Sequence, residues 1–236
     1  MKKTLFLVSA LAMLLVLCAC GADNTTAPQA SPAEGGASEE QIQPAASSDA
    51  APAQTENTTG AANHALVVYF SRTGENYTVG TISTGNTAIV GDLIAESVGA
   101  DVFEIVPVTP YPDNYNDCLD VATQEQRANA RPEYTGEVAD WEDYDVVFFG
   151  YPIWWGDMPM IAYTFLENHD WTGKTVIPFN THEGSGQAGT QRMIENLCSG
   201  ATVLDGLAVQ GNTAQNDRAA TEKSVNDWLS GMDFFG

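Results

Sequence analysis

The chain has 236 residues, with 31 acidic side chains against 9 basic ones and a formal net charge of −22 at pH 7. A surface that acidic repels nucleic-acid phosphates and anionic lipid headgroups, which argues against a polyanion-binding protein. At 44% hydrophobic residues the chain still carries enough apolar side chain for one sizeable core.

In chain order an address comes first. Met1-Lys2-Lys3 is a short positive segment, and residues 4–17 are almost wholly apolar. That is signal-peptide length, too short and wrongly flanked for a permanent membrane helix. The segment ends in Leu17-Cys18-Ala19-Cys20-Gly21, which resembles a bacterial lipobox. The resemblance implies that residues 1–20 are a lipoprotein signal peptide, cleaved before Cys20, whose thiol is then lipidated. An ordinary cleaved signal with an incidental cysteine is the alternative. Cleavage would remove Lys2 and Lys3, leaving 7 of the 9 basic residues against 31 acidic ones, about −24.

Residues 21–64 are small and polar, with Ile42 as the one large aliphatic side chain. Such a segment cannot bury enough apolar area to offset its ordering entropy, and it reads as a disordered tether. The lipid would then be the membrane link, holding an exported body on the outer face of a bacterial membrane.

The body, residues 65–236, alternates strands and helices. Residues 65–70 form a short apolar run, the signature of a strand covered on both faces. Residues 86–99 carry Val90, Leu93, Ile94 and Val98 at helical spacing and stop at a glycine. A second strand over 102–106 ends at Pro107, and a polar helix covers 114–129. The third strand and helix cover 144–149 and 158–168, and the fourth 175–179 and 188–197. A fifth strand over 202–209, bent at Gly206, precedes a last helix over 216–229. This pattern predicts an α/β fold with a parallel sheet between two layers of helices, its strand-to-helix loops on one edge. Cys118 and Cys198 could pair or stay free, and free thiols are expected; no Cys-x-x-Cys occurs, which leaves a thioredoxin-type or zinc site unsupported.

Three of those loops are unusual. Residues 71–87 are dense in hydroxyls and glycines and lead to a helix start, whose unpaired N–H groups suit a phosphate. Residues 150–159, GYPIWWGDMP, place Trp154 and Trp155 beside Gly156 in a turn, where an indole can lie on a flat heterocycle. Alternatively, one or both indoles plug the core or an interface. Residues 180–189, NTHEGSGQAG, contain a G-x-G-x-x-G match from Gly184 to Gly189 with Asp205 downstream. That match follows the fourth strand and not the first, so a Gly/Ser turn against a ring explains it better than a Rossmann site. His182-Glu183 lacks the second histidine of a zinc motif, and Ser185 lacks the flanking glycines of a hydrolase elbow, which speaks against a metal site and a serine nucleophile. A ligand with a phosphate at one end and a flat ring at the other fits all three loops, as a flavin mononucleotide (FMN) does.

Residues 66–229 resemble flavodoxin-like proteins, on Tyr69–Gly74 (YFSRTG), Pro110-Tyr111-Pro112, Gly150–Gly156 (GYPIWWG) and Thr181-His182 with Gly184-Ser185-Gly186. The resemblance implies a three-layer, doubly wound five-stranded sheet of order 2-1-3-4-5 and non-covalent FMN. It places the phosphate loop on Ser71, Arg72, Thr73, Asn86 and Thr87, with an insertion splitting the usual motif after Gly74. It places the ring contacts on Pro152, Ile153, Trp154, Trp155 and Gly156, and on Thr181, His182, Gly184, Ser185 and Gly186. The carboxylates of Asp157 and Glu183 are expected near the ring, and His182 is a weak proton-donor candidate. The implied function is an electron carrier or a small NAD(P)H- or quinone-type oxidoreductase, serving a redox partner protein or a small acceptor. The alternative is a lipoprotein that binds flavin or another ligand without redox work.

Overall fold

The computed structural model describes residues 64–232. The expected signal peptide, Cys20 and the expected tether, apart from His64, lie outside the described residues.

The element order starts with β1 (Ala65–Tyr69), a hairpin of β2 (Gly74–Asn76) and β3 (Gly80–Ile82), and α1 (Asn86–Val98). Then come β4 (Asp101–Glu104), β5 (Val106–Pro107), α2 (Tyr115–Ala128) and β6 (Tyr134–Thr135). The second half runs β7 (Val146–Pro152), α3 (Met160–Asn168), β8 (Thr175–His182), α4 (Thr190–Leu197), β9 (Thr202–Val203) and β10 (Leu207–Gln210). It closes with α5 (Gly211–Asn216) and α6 (Arg218–Leu229). The helix ends follow the residues that favour them. Gly99 terminates α1 in the left-handed region, and the Asn114 side chain accepts from the N–H groups of Asn116 and Asp117 to cap α2.

The main sheet has the order β4-β1-β7-β8-β10, every pair parallel, with β9 beside the start of β8. In chain order this is 2-1-3-4-5, the expected topology. Successive strand residues feed opposite layers. Val68, Val147 and Phe149 pack with Ile161 and Phe165 of α3 and Ile194 of α4. Val67, Phe148 and Ile177 pack with Ile94 of α1 and Val225 of α6. Each such fully buried aliphatic or aromatic side chain contributes about 1.5–3 kcal/mol.

The structure corrects several boundaries. β7 continues to Pro152 and β8 to His182, so Gly150-Tyr151-Pro152 belong to a strand and not to the turn. These overrun ends pair with each other, Tyr151 opposite Asn180 and Pro152 opposite Thr181, which satisfies their backbone. Gly150 must lack a side chain, since a Cβ there would sit 2.1 Å from Cζ of Phe179. The fifth strand is broken, not merely bent. Leu204 N–H donates to Val176 O, so the backbone of β8 two residues on also faces the fifth strand, and there Pro178 has no N–H to give. The strand leaves the ladder at that point and resumes at Leu207. The last helical region is two helices, α5 and α6, divided at Asp217. Cys118 and Cys198 are free and buried.

Candidate functional site

The loops after β1, β7 and β8 meet at the C-terminal edge of the sheet, where the strand order reverses between β1 and β7. The phosphate-type loop is closed despite its insertion. The Ser71 hydroxyl accepts from the Ala88 N–H at 3.0 Å. A Cβ on Gly85 would lie 2.1 Å from Ser71 Oγ and 2.7 Å from Arg72 O. Ser71-Arg72 therefore rests against Gly85, and the hairpin β2–β3 leaves and returns between them. Gly85 is the N-cap residue of α1 and has no side chain to cap with, so Ser71 caps from across the loop. Asn86 and Thr87 open the helix, where backbone N–H groups have no intrahelical acceptor.

Arg72 is only 9% exposed. Its two terminal nitrogens donate to carbonyls: Nη1 to Glu75 at 2.6 Å, Nη2 to Pro112 at 2.5 Å and Asp113 at 2.9 Å. This straps the hairpin to the loop before α2, and Glu75 strengthens the strap by accepting from the Tyr115 N–H at 3.0 Å. Arg72 Nε and Asn86 Oδ1 are buried without hydrogen-bond partners, and both residues line the cleft. Thr87 lies behind it, its hydroxyl 2.8 Å from that of Thr181, tying α1 to the end of β8. Thr73 is exposed and does not line the cleft.

The two tryptophans divide. Trp154 turns inward and meets Phe70 and Tyr111 edge-on, at centroid distances of 5.6 and 5.1 Å. Trp155 is 59% exposed at the cleft rim. Residues 154–157 form a two-residue hairpin turn, with Trp154 N–H donating to Asp157 O at 2.8 Å and Asp157 N–H to Trp154 O at 3.0 Å. Its centre holds Trp155 at φ 54 and Gly156 at φ 75. Such turns favour Asn or Gly at both centres, so a tryptophan there is strained.

Pro152, Ile153, Thr181, His182 and Glu183 complete this side of the cleft. His182 Nδ1 accepts from the Gly184 N–H at 2.9 Å, which requires that nitrogen to be unprotonated. Burial holds the His182 pKa below its ordinary value, with Glu183 pulling the other way. The Glu183 carboxylate accepts from the Asn212 N–H at 2.7 Å, at the start of α5. Gly156, Gly184, Ser185 and Gly186 lie outside the lining, as does Asp157, whose carboxylate turns away to Met158 N–H and the Tyr163 hydroxyl.

The cleft encloses about 190 Å³. Its far wall is made by Asn76, Tyr77, Tyr115, Cys118, Leu119 and Ala122, residues that the sequence pattern does not single out. The available signal was Tyr77, an aromatic side chain inside an insertion; it is 60% exposed and stacks on Tyr115 at 6.0 Å. The site thus offers a helix start with unpaired N–H groups, one buried cation with a free donor, an apolar slot and aromatic rims. Among the described residues, no group of three His, Cys, Asp or Glu side chains could hold a metal ion.

This sheet order and cleft define a doubly wound flavodoxin-like α/β protein. The sequence profile described as Flavodoxin matches residues 64–230, and the chain belongs to that family. Among solved structures it is similar to a Bacteroides eggerthii protein assigned as a flavoprotein, at 30% identity and TM-score 0.57 over 71% of this chain and 96% of that one. A similarly assigned Bacteroides uniformis protein gives 27% identity and TM-score 0.57 over 71% and 98%. A Lactobacillus acidophilus flavoprotein in complex with FMN gives 19% identity and TM-score 0.51 over 71% and 99%. No curated protein matches.

Proposed function

We propose that the chain is an FMN-binding redox protein, an electron carrier or small oxidoreductase held by a lipid at Cys20 on the outer face of a bacterial membrane. The observation that carries this reading is the meeting, in one cleft, of the α1 N-terminus, the unpartnered Nε of Arg72 and the exposed indole of Trp155. A phosphate at one end and a flat ring at the other match those features, and the solved FMN complex of a protein with the same fold supports the choice.

FMN, when bound, supplies reversible electron transfer; the protein binds it, orients it and sets its field. Ser71 spends its acceptor on Ala88, so its own O–H remains free to donate to a phosphate oxygen. Arg72 Nε adds a charge-assisted donor, and the N–H groups of Asn86 and Thr87 add the helix start. Asn86 Oδ1, an acceptor without a partner, suits a hydroxyl of the linking sugar chain. Trp155, Pro152 and Ile153, which line the cleft, would hold the ring, and His182 would serve its polar edge. Glu183 is the carboxylate placed to disfavour added negative charge on the ring, and Asp157 is not.

The test is to purify the full chain, add FMN, and follow flavin fluorescence and the visible spectrum through reduction and reoxidation. Quenching of one equivalent, with reversible bleaching, supports the reading. Reversible binding without reducibility would leave a ligand-binding lipoprotein, and no uptake would remove flavin altogether. NAD(P)H oxidation with an added quinone separates reductase from carrier. Release of the body into the soluble fraction by Cys20→Ser tests the anchor.

A further inference from the structure

We infer that Tyr163, on α3 and outside the cleft, is the positioning residue for the turn that presents Trp155; this rests on the flavin reading of the site. The turn is closed by its two backbone hydrogen bonds and anchored at its first residue by Trp154, but its far side is strained. Both central residues are left-handed, one is a tryptophan, and the indole of Trp155 is mostly in water. What ties it to α3 is the side chain at its last position. Asp157 Oδ1 accepts from Met158 N–H and from the Tyr163 hydroxyl, each at 2.7 Å.

Tyr163 is in turn held by two neighbours. Its hydroxyl oxygen lies 2.9 Å from Met193 Sδ of α4, and the Arg131 guanidinium sits 5.2 Å from its ring centroid. Arg131 is held by a two-pronged pair with Glu167 of α3, at 2.6 Å for each nitrogen. Burial and the neighbouring Asp157 both push the Tyr163 phenol above its ordinary pKa, so it stays a donor throughout the physiological range. Arg131, from before α3, thus holds the Tyr163 ring and Met193 of α4 flanks its hydroxyl, and that hydroxyl grips the turn. Without it the Asp157 carboxylate is released from α3, and the strained turn loses its fixed direction at the cleft rim.

The test uses Tyr163→Phe, Asp157→Ala, their double variant and Asp157→Asn, with two readouts. Amide hydrogen exchange at Trp154 and Asp157 is expected to speed up about tenfold in Tyr163→Phe, while the amides of β7 keep their protection. FMN and riboflavin, which share a ring but not a phosphate, are both expected to bind about tenfold more weakly, by a common factor. The double variant should be no worse than Asp157→Ala, and Asp157→Asn, which keeps an acceptor oxygen, should recover most of the loss. Unchanged exchange at the turn in Tyr163→Phe would overturn the inference, as would independent, multiplying effects of the two residues. Faster exchange at the turn in Tyr163→Phe, with a wild-type chain that binds neither flavin, would instead overturn the flavin reading and leave the positioning role standing.

Discussion

Ser71 and Ala88 are 17 residues apart, yet the hydroxyl of one accepts the N–H of the other at 3.0 Å. That bond closes a phosphate-type loop across an inserted hairpin. Ser71→Ala removes a helix cap at a cost of about 1 kcal/mol and, on the flavin reading, a hydroxyl that would donate to the phosphate. Gly85→Ala should be worse, because its Cβ would meet backbone atoms of Arg72 at 2.7 and 2.9 Å as well as Ser71 Oγ. Urea unfolding and FMN titration check the order: wild type, then Ser71→Ala, then Gly85→Ala, in both stability and affinity.

Arg72 contributes a charge and a strap. Arg72→Lys keeps a cation but loses the fork that holds three loop carbonyls and the Nε donor. FMN affinity should fall at least about tenfold, and riboflavin affinity should fall less. The ratio of the two dissociation constants is the measurement. An unchanged ratio would place the phosphate elsewhere.

The paired indoles should differ in what they contribute to stability. Trp154→Ala removes a ring packed against Phe70 and Tyr111 that also lines the cleft, and should cost about 2–4 kcal/mol in denaturant unfolding as well as flavin affinity. Trp155→Gly relieves a left-handed tryptophan and should leave the apoprotein as stable or more stable by about 1 kcal/mol, while weakening flavin binding.

Acid should weaken the fold through its histidines. His182 and His169 both lie below the ordinary 6.5, in each case chiefly because burial disfavours the charged ring. The unfolded chain then binds their protons more readily, so their contribution is complete above pH 6.5 and is lost as pH falls through the folded values. Glu104 and Glu125, raised by burial, slope the opposite way nearer 4.5. The thermal midpoint of wild type minus that of His182→Gln should therefore shrink as pH drops from about 7.5 to about 5.5. A constant difference would contradict the assignment.

The sheet was legible in the sequence because buried parallel strands must be apolar on both faces, and β1 and the first half of β7 are. Their far ends were not. Gly150, Pro152 and Asn180 are turn-forming types that signal a strand end, and only the ladder between β7 and β8 reveals that these ends satisfy each other. The break in the fifth strand was readable at Gly206, but its cause is Pro178 on the neighbouring strand. The loops of the site were legible from their glycines and hydroxyls. The wall from Tyr77 to Ala122 was not, since it depends on how Arg72 and Glu75 strap an insertion to α2. The split between an inward Trp154 and an outward Trp155 was equally hidden, because both residues have the same composition signal and differ only in turn position.

The most direct measurement is a titration of the purified full chain with FMN and, in parallel, with riboflavin, read by flavin fluorescence. The account predicts saturable quenching at one equivalent of FMN, clearly tighter than for riboflavin, and abolished by Gly85→Ala. Flavin emission that stays unquenched by the wild-type chain, or equal affinity for the two flavins, would contradict it.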